Sequence, residues 1–320
     1  LPRIEHSNRY VHGHVCLGQT PGMDCPMEGD ARKWRADWPS PTSLYGSHGT
    51  KLRTNRSAEL NSTCMTELKQ QPFVRTETLN GVFTVTFFHP QSNALPRKIL
   101  GELAEAINSA ADNPEHRVVV LQSAGERAFC AGASFDELVA IQTPEQGQIF
   151  FSGFSEVILA IRSCPLLVIS RVQGKAVGGG VGLAAAADYT LATQHASIKL
   201  SELAVGIGPF VVGPAVERKL GTSAFSSLAI DATSWRSANW ALQHGLYAQV
   251  FETSEELDAG VSTLCAQLAK SSPDAMRSLK QVFWIGTDEW PALLENRAAI
   301  SGELVLSDFT RSAIAAFKKS

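Results

Sequence analysis

The clearest hydrophobic pattern in the chain begins at Phe73. Apolar and polar side chains alternate from Phe73 to Thr78 and again from Val82 to Phe88, as they do in strands with one buried face. The Asn80-Gly81 pair between these segments is typical of a tight antiparallel hairpin. From Arg97 to Ala111 the apolar residues recur at helical spacing. The pattern therefore predicts a hairpin followed by an amphipathic helix.

Apolar runs of strand length then alternate with helical segments. Strands are predicted at residues 118–122 and 166–172, with a long helix from Thr143 to Ser163 between them. Residues 191–200 are predicted to supply a further strand pair. A helical region is predicted to begin at Gly213, and residues 223–319 are predicted to be almost wholly helical, with helix starts at Pro273 and Pro291. The order predicts an α/β fold with a C-terminal helical region.

The most informative stretch of the chain runs from Val172 to Gly221. It holds three consecutive glycines, Gly178-Gly179-Gly180, before an alanine-rich segment with high helix propensity, and then a lone carboxylate, Glu202. Glycines at a helix start allow a ligand to approach the backbone, whose N–H groups stabilise negative charge. A carboxylate among apolar residues can act as a base near neutral pH. These are the components of an enolate-stabilising site.

A second motif lies upstream, where AFCAGA at residues 128–133 follows a predicted strand. Together with NALP at residues 93–96, the VQGKAVGGGVGLAAAADY segment and SELAVGIGP, it makes the chain resemble the crotonase (enoyl-CoA hydratase/isomerase) superfamily. The resemblance covers roughly Thr66 to Lys319. It implies a crotonase-like spiral of strand–strand–helix repeats.

The resemblance also implies the site residues. Two backbone N–H groups, at Ala133 and Gly179, would form the oxyanion hole for a thioester carbonyl, and Glu202 would transfer the proton. Further residues are expected to contact the substrate or its CoA group, namely Cys130, Ala131, Gly132, Gly178 and Phe317. CoA enters as part of the substrate, so no separate cofactor and no metal are expected.

One position departs from the family's hydratases. They carry two glutamates, and the first of these falls on Gly182, which has no side chain. A single carboxylate suits double-bond isomerisation, whereas two-carboxylate hydration needs a second group that positions water. Some hydratases that act on branched glutaconyl-type thioesters resemble this GGGVGL pattern, so hydration stays open. An aspartate that dienoyl isomerases carry is replaced by Phe210, which disfavours that reaction.

The resemblance therefore implies an enoyl-CoA hydratase or double-bond isomerase with one glutamate. The alternative is a noncatalytic acyl-CoA binding or scaffold protein that has kept the fold. Three polar residues near the motifs are interpreted without a catalytic role. Asp188 is expected to satisfy backbone N–H groups at a helix end, His195 to lie on the surface, and Ser134 to cap the following helix.

Composition narrows the class of protein. The chain has 320 residues, 44% of them hydrophobic, and a net charge of −3, so nucleic-acid binding is not indicated. Its six cysteines show no metal-binding or disulfide spacing, which favours a reducing compartment, and we expect a cytoplasmic location. No apolar run is long enough to predict a membrane span.

Residues 1–64 differ from the remainder. They contain eight Leu, Ile and Val residues in total and no Phe, so we expect a disordered or non-native extension, with Met65 as a natural start. Residues 65–222 are then expected to form the spiral core and residues 223–320 the C-terminal helical region. The resemblance implies that this last region assembles a homotrimer or a dimer of trimers. Phe309 and Phe317 resemble the aromatic residues of the family's last helix.

Overall fold

The computed structural model describes residues 71–317, with Phe317 described only as part of a helix. The extension predicted for residues 1–64, the start at Met65 and the side-chain role of Phe317 lie outside the described residues.

Strands and helices follow one another in the order expected for repeated strand–strand–helix units. The strands are β1 Phe73–Leu79, β2 Val82–Phe88, β3 Ala94–Leu95, β4 Val118–Ser123, β5 Ala128–Cys130, β6 Gly132–Ala133, β7 Leu167–Val172, β8 Lys175–Val177, β9 Tyr189–Thr193, β10 Ile198–Lys199 and β11 Gln249–Phe251. The helices are α1 Arg97–Ser109, α2 Phe135–Ala140, α3 Pro144–Ser163, α4 Gly179–Ala186, α5 Gly213–Ile230, α6 Ala238–Gln243, α7 Ser254–Ala269, α8 Pro273–Phe283, α9 Trp290–Leu304 and α10 Asp308–Phe317.

The main sheet of the described region has six strands in the order β1-β2-β4-β7-β9-β11. Strands β1 and β2 form the predicted antiparallel hairpin, and the remaining neighbours are parallel. Asn80 and Gly81 both have positive φ, which is the backbone conformation that a tight two-residue turn requires. The hairpin prediction is confirmed.

Both faces of this sheet are covered, because successive residues of β4 point to opposite sides. Val119 and Leu121 belong to the large core cluster that includes α1 and α3, whereas Val118 and Val120 pack with apolar residues of α7. An apolar run without polar alternation is therefore what this central strand needs. Helix α1 buries Ile99, Leu100, Leu103 and Ile107, which recur at the predicted helical spacing, and Ala104 beside them.

Two smaller parallel sheets join the loops that follow the main strands. One has the order β10-β8-β5, and the other pairs β3 with β6. The first sheet brings the end of the AFCAGA motif beside the strand that precedes the glycine triplet, since Cys130 pairs with Ala176. Strand β10 extends the same sheet toward Glu202.

Two predictions about the later part of the chain need correction. Strands β9 and β10 both lie within residues 189–199, but they belong to different sheets and do not pair with each other. The region after residue 223 is mostly helical, yet it supplies β11, which extends the main sheet beside β9. Strand β11 has three residues, which are too few for an alternating apolar pattern to predict a strand. Helix α5 also runs past residue 222, with non-helical dihedral angles at Gly221.

Asp188 lies just beyond α4 in a buried polar cluster. Its carboxylate forms a 3.0 Å ion pair with Lys280 and accepts hydrogen bonds from the Val168 backbone N–H and the Trp284 indole N–H. Both charged side chains are less than 5% exposed. The role is structural, as expected, but the backbone N–H belongs to strand β7 and not to a helix end.

We expect Asp188→Asn to destabilise the fold by about 3–5 kcal/mol, because it leaves the buried Lys280 ammonium without its counter-charge. Urea or thermal unfolding measures this. The matched control is Asp274→Asn, which removes a carboxylate that is 89% exposed and paired with Arg277, itself 53% exposed. The control should cost less than about 1 kcal/mol. Equal effects of the two substitutions would contradict the structural role of Asp188.

Candidate active site

A cavity of about 650 Å³ lies where the AFCAGA loop, the glycine triplet and the Glu202 turn meet. Most of the residues predicted for the site line it, namely Ala131, Gly132, Ala133, Gly178, Gly179 and Glu202. The wall continues through Phe154 on α3, residues 207–212 and Trp235. Segments that lie far apart in the chain thus converge on one pocket.

The AFCAGA loop contacts the glycine triplet directly. Gly132 has a φ of +92°, and a Cβ built there would lie 3.0 Å from the Val177 carbonyl oxygen and 3.6 Å from the Gly179 nitrogen. A side chain at this position would be strained and crowded at once. The motif therefore needs glycine here, and the two candidate oxyanion donors, Ala133 and Gly179, stand on adjoining segments.

Gly178 creates the space for the Glu202 carboxylate. It has a φ of +52°, and a Cβ built on it would lie 2.8 Å from Glu202 Oε1. The next two glycines are also tightly packed, since a Cβ on Gly179 would overlap the Phe154 ring and one on Gly180 would lie 2.5 Å from the Cys130 carbonyl oxygen. The triplet thus meets three different neighbours, and a side chain at any of its positions would move one of them.

Helix α4 begins at Gly179, the middle glycine, and all eight of its residues are buried. Its N-terminal end adjoins the Gly132 loop within the cavity wall. The amide N–H groups and the partial positive charge at a helix start favour an anionic oxygen placed there. This geometry suits the stabilisation of an enolate oxygen.

Glu202 opens a single 3₁₀ turn, Glu202–Val205, which Gly206 closes with a φ of +82°. Its Oε2 atom is buried and has no hydrogen-bond partner among the described residues, although the residue as a whole is partly accessible. Burial raises the pKa of this carboxyl to about 7, against a smaller lowering by the backbone N–H groups of Glu202 and Ser201. A carboxyl with this pKa can both accept and donate a proton near neutral pH.

Val212 occupies the space next to Gly182. A Cβ built on Gly182 would lie 2.6 Å from the Val212 Cβ and would overlap its Cγ1 methyl group. Val212 itself lines the cavity. Position 182, where the resemblance implies that hydratases carry a first glutamate, is therefore closed here by an apolar side chain. No signal in the sequence identified Val212, because it lies 30 residues from Gly182 in the chain.

Four other residues discussed from the sequence differ in their position relative to the cavity. Cys130 is fully buried and does not line the cavity, and burial raises the pKa of its thiol to about 12, so the thiol stays protonated. Ser134 caps α2 as predicted, with its Oγ accepting from the Glu137 N–H. His195 is exposed, as predicted. Phe210 lines the cavity.

Within residues 71–317, no group of three or more histidine, cysteine or acidic side chains is arranged to hold a metal ion. In the same part of the chain, every helix is too short or too polar to cross a membrane. The expectations of a reaction without a metal and of a cytoplasmic location stay predictions.

Comparison with known proteins identifies the family. The enoyl-CoA hydratase/isomerase family matches residues 77–316. A carnitinyl-CoA dehydratase from Salmonella agona (strain SL483) is 32% identical over 230 residues, which cover 71% of this chain and 86% of that enzyme.

Solved structures give the same result. An enoyl-CoA hydratase from Mycobacterium avium subsp. paratuberculosis K-10 has a TM-score of 0.68 at 27% identity, covering 77% of this chain and 95% of that one. An enoyl-CoA hydratase from Bacillus halodurans shares the fold with a TM-score of 0.71 at 21% identity, covering 76% and 99%. The chain therefore belongs to the enoyl-CoA hydratase/isomerase family, and it has the crotonase fold.

Proposed function

We propose that the protein moves the double bond of an enoyl-CoA thioester, with Glu202 as the one proton carrier. The Glu202 carboxylate takes a proton from C2 of a 3-enoyl-CoA, and the thioester oxygen becomes an enolate oxygen. The N–H groups of Ala133 and Gly179 donate to that oxygen. Glu202 then returns the proton to C4, so that the double bond ends between C2 and C3.

The observation that carries this proposal is the closed space beside Gly182. Val212 fills this space, and residue 182 itself is a glycine. Glu202 is therefore the one carboxylate beside the glycine triplet among the described residues. The other carboxylate on the cavity wall, Asp136, is exposed and accepts a hydrogen bond from the Gln91 side chain. One buried acid–base group suffices for a proton shuttle, since each step uses the same group.

Reversible dehydration is the second candidate, because a carnitinyl-CoA dehydratase is 32% identical to this chain. In that reaction Glu202 would remove the C2 proton of a 3-hydroxyacyl-CoA and deliver it to the departing C3 hydroxyl, which leaves as water. The purified protein is assayed with 3-enoyl-CoA thioesters for isomerisation and with 2-enoyl-CoA thioesters such as crotonyl-CoA for hydration, each over a range of chain lengths. These assays separate the two reactions. Binding of thioesters without turnover of any of them would support the scaffold alternative instead.

Three further proposals follow from the family. We propose that CoA binds as part of the substrate along the Ala131–Ala133 backbone and the last helix, with no separate cofactor.

We propose a homotrimer or a dimer of trimers, supported by the exposed apolar side chains Leu279, Val282 and Phe283 on α8. A cytoplasmic location fits the three buried, unpaired cysteines of the described region.

The pH dependence follows from the pKa of Glu202. A base with a pKa of about 7 is deprotonated above that pH, so we expect kcat/KM for proton abstraction to reach a plateau there. Below the pKa it should fall roughly tenfold per pH unit, because the base is increasingly protonated. A pH–rate profile of the isomerisation measures this. A profile that stays flat between pH 5 and pH 8 would assign the proton transfer to another group.

A further inference from the structure

The ammonium groups of two lysines lie over one tryptophan ring, and that ring lines the cavity. The Nζ atoms of Lys175 and Lys199 lie 4.9 Å and 4.7 Å from the centre of the Trp235 ring. Lys199 pairs with Val177 across strands β10 and β8, and Lys175 lies two residues before Val177. Because strand side chains alternate with a period of two, both lysines leave the same face of this sheet. Attraction between each ammonium and the indole face holds the two charges together.

These charges lack a counter-charge in the described part of the chain. Neither ammonium forms an ion pair with an acidic side chain there, and the carboxylate of Asp231, four residues before Trp235, is paired with Arg236 at 2.9 Å. Trp235 is 42% exposed and lines the cavity together with Lys199, whereas Lys175 is exposed and lies outside the cavity lining. The wall thus offers a cationic group next to an apolar platform, which suits an anion at the end of a hydrocarbon chain.

The position of Lys199 indicates which part of a thioester would reach it. Its carbonyl oxygen accepts a 2.8 Å hydrogen bond from the Gly178 N–H, so its backbone lies next to the residue that precedes the Gly179 donor. A lysine side chain reaches about 6 Å from its backbone. The phosphates of CoA are separated from the thioester by the whole pantetheine arm. An anion near Lys199 therefore belongs to the acyl group when the thioester lies at Gly179.

We propose that Lys199, with Lys175 over the same Trp235 ring, binds a carboxylate at the far end of the acyl group. The substrates would then be CoA monothioesters of short unsaturated dicarboxylic acids. This inference rests on the proposed function, since it assumes that a thioester carbonyl lies at Ala133 and Gly179. It adds the identity of the acyl group.

The test compares two non-reacting thioesters, glutaryl-CoA and pentanoyl-CoA, which share CoA and chain length and differ in the terminal carboxylate. Isothermal calorimetry with the full-length protein should show tighter binding of glutaryl-CoA by at least ~10-fold, because the ammonium–carboxylate contact is charge-assisted. Lys199→Met keeps the stem and removes the charge, and it should abolish most of this preference. Lys175→Met should reduce it less.

The matched control is Lys270→Met, which removes an exposed lysine elsewhere and should leave the preference unchanged. Equal affinity of the wild-type protein for the two thioesters would overturn the inference. So would an equal loss of both affinities in Lys199→Met, because it would place Lys199 on the CoA phosphates. Binding is measured without turnover, so a protein that prefers glutaryl-CoA but isomerises no enoyl-CoA would refute the proposed function and leave this inference standing.

Discussion

Glu202→Gln is expected to lower isomerase turnover by at least ~10²-fold, while CoA-thioester binding survives. Glutamine has nearly the same shape as glutamate, so it fits the space that Gly178 leaves open, but it cannot accept a proton from C2. Steady-state kinetics with the best 3-enoyl-CoA substrate measures the loss, and calorimetry with a saturated acyl-CoA measures binding. Turnover near the wild-type rate would show that another group carries the proton.

Glu202→Gln is also expected to change the pH dependence of the free energy of unfolding. Measuring this change checks that the variant is folded. The folded-state pKa of about 7 lies above the ordinary value of 4.5, so the folded state binds more protons between these two pH values. Wild-type stability should therefore fall as pH rises through this window. Each unit of pKa corresponds to about 1.4 kcal/mol, so the loss is at most about 3.5 kcal/mol. The glutamine variant lacks this term, and above pH 7 it should be more stable than the wild type.

Much of the fold follows from local patterns in the chain. The hairpin was predictable from the alternation in β1 and β2 and from Asn80-Gly81, whose turn needs residues that tolerate positive φ. Helix α3 begins at Pro144 beside the cap residue Thr143, within one residue of its predicted start. Strand β11 was not predictable, because three residues carry too little periodicity and their place is set by pairing with β9.

In the candidate site, too, some residues were predictable from the sequence and others were not. The glycine triplet and Glu202 were predictable because a run of glycines and an isolated carboxylate are unusual in a chain and have few structural explanations. Val212 and Phe154 were not, since each is an ordinary apolar residue whose importance comes from its contact with Gly182 or Gly179. The sequence shows a glycine at position 182, where a hydratase would be expected to carry a glutamate. It could not indicate that the Val212 side chain closes the space beside that glycine.

That closure decides how a second carboxylate could be introduced. Gly182→Glu alone should destabilise the protein, because its Cβ would lie 2.6 Å from the Val212 Cβ and the carboxylate would be buried. Val212→Ala does not solve the problem, since alanine keeps that Cβ. Val212→Gly does, because the nearest remaining atom on that side is the Val212 Cα at 3.6 Å. Residue 212 is the N-cap of α5, a position where glycine is tolerated.

We therefore expect the double variant Gly182→Glu/Val212→Gly to raise crotonyl-CoA hydration relative to 3-enoyl-CoA isomerisation by at least ~10-fold. The physical reason is that a second carboxylate, one helical turn past Gly179, can position a water molecule for attack at C3, and positioned acid–base groups contribute roughly 10²–10⁴-fold. The measurement is the ratio of the two rates in the wild type, in Val212→Gly and in the double variant.

Val212→Gly alone controls for the enlarged cavity and should not change the ratio. Thermal unfolding of each variant separates a change in mechanism from a loss of fold. Strong hydration by the wild type, with no gain in the double variant, would mean that this active site already positions water through another group, and it would favour dehydration chemistry over isomerisation.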